Sequence, residues 1–121
     1  MKKILLLILF LITSNVLAEW VFLGTNTDNS NFYIDPQTIE KEGNKVRFWE
    51  KVNLGKADDD VKSIRGYREI DCKKKTYTVL SATFFSESDF QGNMELMNID
   101  SKIIYIAPNT ADEEVMNYVC K

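Results

Sequence analysis

A chain of 121 residues with five scattered glycines, two cysteines and no histidine holds one domain and has no room for a second sizeable core. Without histidine it lacks the commonest general base, the Ser-His-Asp and Cys-His pairings and the commonest metal ligand. Its 15 basic residues stand against 18 acidic ones, a net charge of −3, so its surface does not attract nucleic acid or anionic lipid over its whole area.

The opening stretch, MKKILLLILFLITSNVLA, reads as a secretory signal peptide over residues 1–18. Lys2 and Lys3 form the positive end, Ile4 to Ile12 the apolar middle, and Val16 and Ala18 the small-residue pattern before a cut. The apolar run is shorter than the about 20 residues a membrane span needs, so no integral span is expected after cleavage. Glu19 stands where a lipoprotein carries its lipidated cysteine. The expected product is an exported domain over residues 19–121, periplasmic, secreted or at the cell surface. Loss of Lys2 and Lys3 leaves 13 basic against 18 acidic residues, a net charge of −5.

EWVFLG is the first strand candidate, and TNTDNSN is a turn-forming run. Asp28 lacks the Asp-x-Asp-x-Asp-Gly spacing of a calcium loop, so no metal is expected there. NFYID is a second strand, ended by Pro36. Proline pushes Asp35 towards extended geometry, and the Asp35 carboxylate is placed to accept the backbone N–H of Gln37 or Thr38 as a cap. DPQTI is therefore read as a fold-determining corner, with Ile39 returning to the core. EKEGNK makes a hairpin turn at Gly43 and Asn44.

KVRFWEKVNL alternates. Val46, Phe48, Glu50, Val52 and Leu54 form one face, apolar except for Glu50 and so expected to be buried. Lys45, Arg47, Trp49, Lys51 and Asn53 form the other, with Trp49 among cations that can stack on it. GKADDD is read as a polar connection in which Asp58 to Asp60 solvate a loop tip. VKSIRGYREIDC and KTYTVLSATFF are two longer strands. In the first, Ile64, Gly66, Arg68, Ile70 and Cys72 share a face on which Arg68 is out of place. SESDFQGN is loop, MELMNI fits no single pattern, and KIIYIAP is a strand ended by Pro108.

NTADEEVMNYVCK carries the helix. Thr110 and Glu113 fit a capping box, and Asp112, Glu113 and Glu114 occupy the first turn, where the helix dipole favours negative charge. Ala111, Val115, Tyr118 and Val119 form the apolar face, flanked by Met116 and Cys120.

Cys72 and Cys120, an even pair in an exported chain, read as one disulfide. The bond closes a loop of roughly 50 residues, for which chain entropy gives about 4 kcal/mol. It pins the helix to the strand carrying Cys72. The residues by themselves thus specify a small exported β-rich domain with one disulfide.

No GxGxxG or GxxxxGK phosphate loop occurs. Asp35 and Glu50 are the pair a carboxylate hydrolase would use, but residues 19–121 leave little room for a deep cleft, and no catalytic residue, cofactor or metal is expected. The candidate partner-contact residues are Trp49, Arg47, Lys45 and Lys51 on the outer sheet face, with the basic turn Lys73, Lys74 and Lys75.

Trp20, FYIDPQTI followed by GNKVRFWEKV, YREIDCKKKTY and an acid-capped terminal helix ending in Cys120 together resemble the surface-adhesin protein E family of Gram-negative bacteria. The resemblance covers essentially residues 19–121. It implies an α+β fold, an antiparallel sheet of about six strands with one C-terminal helix tied on by the disulfide. It also implies a binding protein for host matrix or serum proteins such as vitronectin and laminin, without catalysis. Two other readings stand beside it: a periplasmic accessory protein, dimeric through an exposed strand edge, and a small hydrolase.

Overall fold

The computed structural model describes residues 19–58 and 60–121. The expected signal peptide and Asp59 lie outside the described residues. Among the described residues eight strands and one α-helix follow in chain order: β1 (Val21–Thr25), β2 (Asn31–Ile34), β3 (Glu40–Glu42), β4 (Lys45–Asp58), β5 (Val61–Asp71), β6 (Thr76–Phe85), β7 (Met94–Leu96), β8 (Ile104–Tyr105) and α1 (Ala111–Val119). The pairings are antiparallel and the order across the sheet is β1-β2-β4-β5-β6-β7. β3 pairs with β4 beyond β2, and β8 pairs with β6 beyond β7. The architecture is the expected one, a sheet six strands wide with one C-terminal helix.

The corner at Asp35 and Pro36 lets β2 and β3 line the same edge of β4. Pro36–Thr38 is a 3-10 turn capped by Asp35, whose carboxylate accepts the Gln37 N–H at 3.1 Å. Thr38 Oγ1 donates to the Asp35 carbonyl at 2.7 Å and accepts the Trp49 N–H at 3.0 Å. The Asp35 N–H donates to the Trp49 carbonyl. The corner thus repairs the ladder where the two short strands part company, and the backbone polar groups of β4 stay satisfied.

β4 is longer than its alternation predicts. It runs through Gly55 and Lys56 to Asp58, with irregular pairing to β5 between Asn53 and Asp58. A side chain at Gly55 would collide with the Asp28 carbonyl oxygen, 2.1 Å from the ideal Cβ position. The turn at residues 26–30 presses against β4 there, and Ser30 Oγ accepts the Gly55 N–H. β6 carries an irregularity opposite Tyr67 and Arg68 that leaves Leu80 as an extra residue. Only the first three residues of MELMNI form a strand, the short β7, and KIIYIAP forms only the two residues of β8.

The core lies between α1 and the inner face of the sheet. Ile34, Val46, Phe48, Ile70, Val115 and Val119 form its centre. Ile39 and Tyr118 pack at its margin, and Met116 takes the fully buried place expected of Tyr118. Thr110 caps α1 by accepting the Glu113 N–H, while Glu113 returns to the Asn109 N–H, one residue before the cap. Cys72, in the turn just after β5, is bonded to Cys120 at the helix C-cap, with 5.8 Å between their Cα atoms.

Candidate functional site

The two faces of β4 and β5 carry different chemistry. On the inner face Val46, Phe48, Glu50 and Val52 are buried, and so are Gly66, Arg68 and Ile70 across the ladder. The two residues that broke the apolar pattern meet each other. Arg68 Nη2 donates to Glu50 Oε2 at 2.6 Å, and Nη1 donates to Asp112 Oδ1 at 2.8 Å in the first turn of α1. A Cβ at Gly66 would come within 3.4 Å of Glu50 Oε1, so the glycine leaves room for the carboxylate. The guanidinium lies 4.8 Å from the Tyr77 ring centroid and 5.6 Å from that of Phe48. Its Nε is buried without a hydrogen-bond partner among the described residues. Burial pushes the Glu50 carboxyl above its usual range, the opposing pull of the Arg68 charge does not cancel it, and the nearby Asp112 carboxylate adds to the rise. Arg68 itself stays charged, held so by Glu50 and Asp112 against the cost of burial. This cluster fastens the N-terminal end of α1, and the disulfide fastens its other end.

On the outer face Trp49 stacks on Tyr67, with ring centroids 4.8 Å apart and planes at 29°. They are paired residues of β4 and β5. The next pair along, Lys51 and Arg65, lies among more rings. Lys51 Nζ sits 4.5 Å from the Tyr33 centroid and 5.6 Å from that of Trp20, and donates to Asp89 at 2.9 Å. The Arg65 guanidinium lies 5.7–5.9 Å from the centroids of Trp49, Phe85 and Phe90. Arg65 has no ion-pair or hydrogen-bond partner for its side chain among the described residues. Phe90 is held over this face by the 3-10 turn Ser88–Phe90. Ser63 Oγ donates to the Glu87 carbonyl and accepts the Phe90 N–H, while Asn53 bonds both the backbone and the carboxylate of Asp89. Those bonds, from Asn53 and then Lys51, hold Asp89 below the usual carboxylate range. Trp20, Asp35, Thr38, Trp49 and Arg65 line an open depression of about 320 Å³.

The sequence-predicted contact residues separate into different settings. Trp49 is half-buried at the depression, and the cation over its ring is Arg65. Lys51 is boxed by rings and only 12% exposed in its side chain. Arg47 and Lys45 lean on Glu69, at 2.8 Å and 3.5 Å, and Glu69 is held below the usual carboxylate range chiefly by its bond from Arg47. Lys73, Lys74 and Lys75 are exposed in the turn after β5, where Asp71 accepts the Lys73 and Lys74 N–H groups. Lys74 and Lys45 share a second depression with Ile103 and Tyr105, away from Trp49. Glu50 and Asp35 do not converge: Glu50 is on the inner face with Arg68, and Asp35 lines the outer depression.

Arg65, Tyr67 and Phe90 are absent from the sequence-based set. Alternation places Arg65 and Tyr67 opposite the face of Arg68, but only the strand register sets them beside Trp49. Among the described residues no helix is long and apolar enough to cross a membrane, and no acidic or sulfur cluster has the form of a metal site.

The family described as surface-adhesin protein E matches residues 20–121. Among solved structures, protein E of Haemophilus influenzae is similar at 21% identity and a TM-score of 0.67, over 89% of this chain and 88% of that one. A second crystal form of that protein gives 21% and 0.66, over 89% and 91%. Protein E from non-typeable Haemophilus influenzae gives 21% and 0.64, over 89% and 79%. These likenesses establish the fold. No curated protein matches the chain.

Proposed function

The chain belongs to the surface-adhesin protein E family, and from that premise we propose that it is an exported, non-enzymatic binding protein that contacts host extracellular-matrix or serum proteins through the outer face of its sheet. The observation that carries this reading is the half-buried aromatic and cationic surface of Trp20, Trp49, Tyr67 and Arg65, left uncovered on the face opposite the helix. Tryptophan, tyrosine and arginine are the residues in which interface binding energy concentrates. Export follows from the signal-peptide pattern of residues 1–18. Two experiments test the reading. Immobilised vitronectin and laminin capture the wild-type domain, and Trp49→Ala loses capture while its melting temperature falls by less than about 10 °C, so that the domain stays folded at the assay temperature. Protease added to intact cells cuts the protein while a periplasmic control survives. A protein protected until the outer membrane is opened has no access to host partners, and the reading then fails.

A second reading is favoured by the far margin of the sheet. Met94, Leu96, Ile103 and Tyr105 are 64–80% exposed on β7, β8 and the residue before β8. An apolar margin on a strand edge suits pairing with a second copy, as in a periplasmic accessory homodimer. Size-exclusion chromatography at rising concentration gives a dimer on this reading, and a persistent monomer removes it.

A further inference from the structure

Arg65 and Arg68 are three residues apart on one strand, yet among the described residues only Arg68 of the two has carboxylate partners. Guanidinium is a donor of up to five N–H groups and accepts nothing. The Arg65 guanidinium lies 5.7–5.9 Å from the centroids of Trp49, Phe85 and Phe90 and makes no hydrogen bond from its side chain among the described residues. Arg65 lines the depression together with Trp20 and Trp49. Asp35 borders it too. One Asp35 oxygen accepts the Gln37 N–H, and the other accepts no hydrogen bond among the described residues. The Thr38 hydroxyl is already engaged with the Asp35 carbonyl and the Trp49 N–H.

The depression therefore offers two indole rings, an unused donor group and an unused acceptor. A bare anion there meets the Asp35 carboxylate, and a bare cation meets Arg65. A neutral polyol satisfies both, because each hydroxyl donates and accepts. The flat apolar walls match the C–H face of a sugar ring, an arrangement in which weak C–H contacts to an aromatic surface add to area burial. The space of about 320 Å³ lies at the small end of ligand clefts, enough for one ring.

We propose that the depression lined by Trp20, Trp49, Arg65 and Asp35 is a binding site for a neutral pyranose sugar, free or as a residue of a glycan. This deepens the binding reading and rests on the outer face being the binding face. The ring stacks on the indoles, Arg65 donates to its hydroxyls, and Asp35 accepts from one of them. Few contacts and an open mouth put the affinity for a single ring in the millimolar range.

The chain holds two tryptophans, and both line the site. Intrinsic fluorescence therefore reads occupancy directly. Methyl glycosides of glucose, galactose, mannose and N-acetylglucosamine are titrated into the full domain, with a short oligoglutamate peptide in parallel. The expected result is a saturable tryptophan response to at least one glycoside, weakened about tenfold in Arg65→Ala, which retains both reporters and its melting temperature. No response to any glycoside overturns the proposal, as does a response to oligoglutamate alone, which makes Arg65 an anchor for acidic peptide. An undiminished response in Arg65→Ala also overturns it. Host-protein capture before and after enzymatic removal of glycans separates the two readings. Capture that survives deglycosylation, with no glycoside response, removes the sugar site and leaves protein binding. A glycoside response without capture does the reverse.

Discussion

The inner and outer faces of β4 and β5 use the same residue types for opposite ends. Arg68, 3% exposed, is forked between Glu50 and Asp112 and lies against Tyr77 and Phe48. Arg65, on the other face, lies 5.7–5.9 Å from the centroids of three rings and keeps its donors unspent among the described residues. A guanidinium taken out of water has to be matched by carboxylates; one left at the surface on aromatic rings does not. The inner cluster belongs to the fold, and the outer one is the surface proposed above for a partner.

Removing Arg68 breaks this comparison hardest. Arg68→Ala strands Glu50 in the interior and costs roughly 3–5 kcal/mol, seen as a large drop in the denaturant midpoint. The double substitution Glu50→Leu with Arg68→Met restores much of that loss, because an apolar pair carries no desolvation cost. Replacing Cys72 and Cys120 together by alanine frees the other end of α1 and costs about 4 kcal/mol by loop entropy.

pH separates the faces more finely. Glu50 has a raised carboxyl in the folded state, so its contribution is fully present below the ordinary carboxylate pKa and is lost as pH rises through the raised value. Glu69, Asp71 and Asp89 are lowered, so their contributions are present above the ordinary value and are lost as pH falls through their folded values. The two sets therefore work in opposite directions: stability falls on the alkaline side through Glu50 and on the acid side through Glu69, Asp71 and Asp89. Urea titrations over pH show the alkaline limb of that profile flattened in Glu50→Gln and the acid limb kept. On the outer face effects on stability are small: Trp49→Ala, which removes the stack on Tyr67, costs on the order of 1 kcal/mol and abolishes capture of host protein.

How far the sequence reached follows from the same residues. The corner at Asp35, the hairpin at Gly43, the buried face of β4 and the capped helix rest on local rules, the disulfide on the cysteine pair itself, and the structure has each of them, except that the buried face ends at Val52 and leaves Leu54 half-buried. Glu50 and Arg68 were visible as two breaks in apolar alternation, but their meeting depends on which strands lie side by side. The outer cluster was harder still. Counting back from the tip pair Asp58 and Val61 would set Trp49 opposite Ile70; the irregularity between Asn53 and Asp58 sets it opposite Tyr67 instead. Phe90 and Trp20 arrive from a 3-10 turn and from ahead of β1, with no periodicity to announce them.

The most direct test of the division between the faces is thermal unfolding of Arg65→Ala beside Arg68→Ala. At about 4–8 °C per kcal/mol for a domain of this size, Arg68→Ala falls by well over about 10 °C, and Arg65→Ala stays within a few degrees of the wild type. Equal losses would contradict the account, because Arg65 would then be spent on the fold and not left for a ligand.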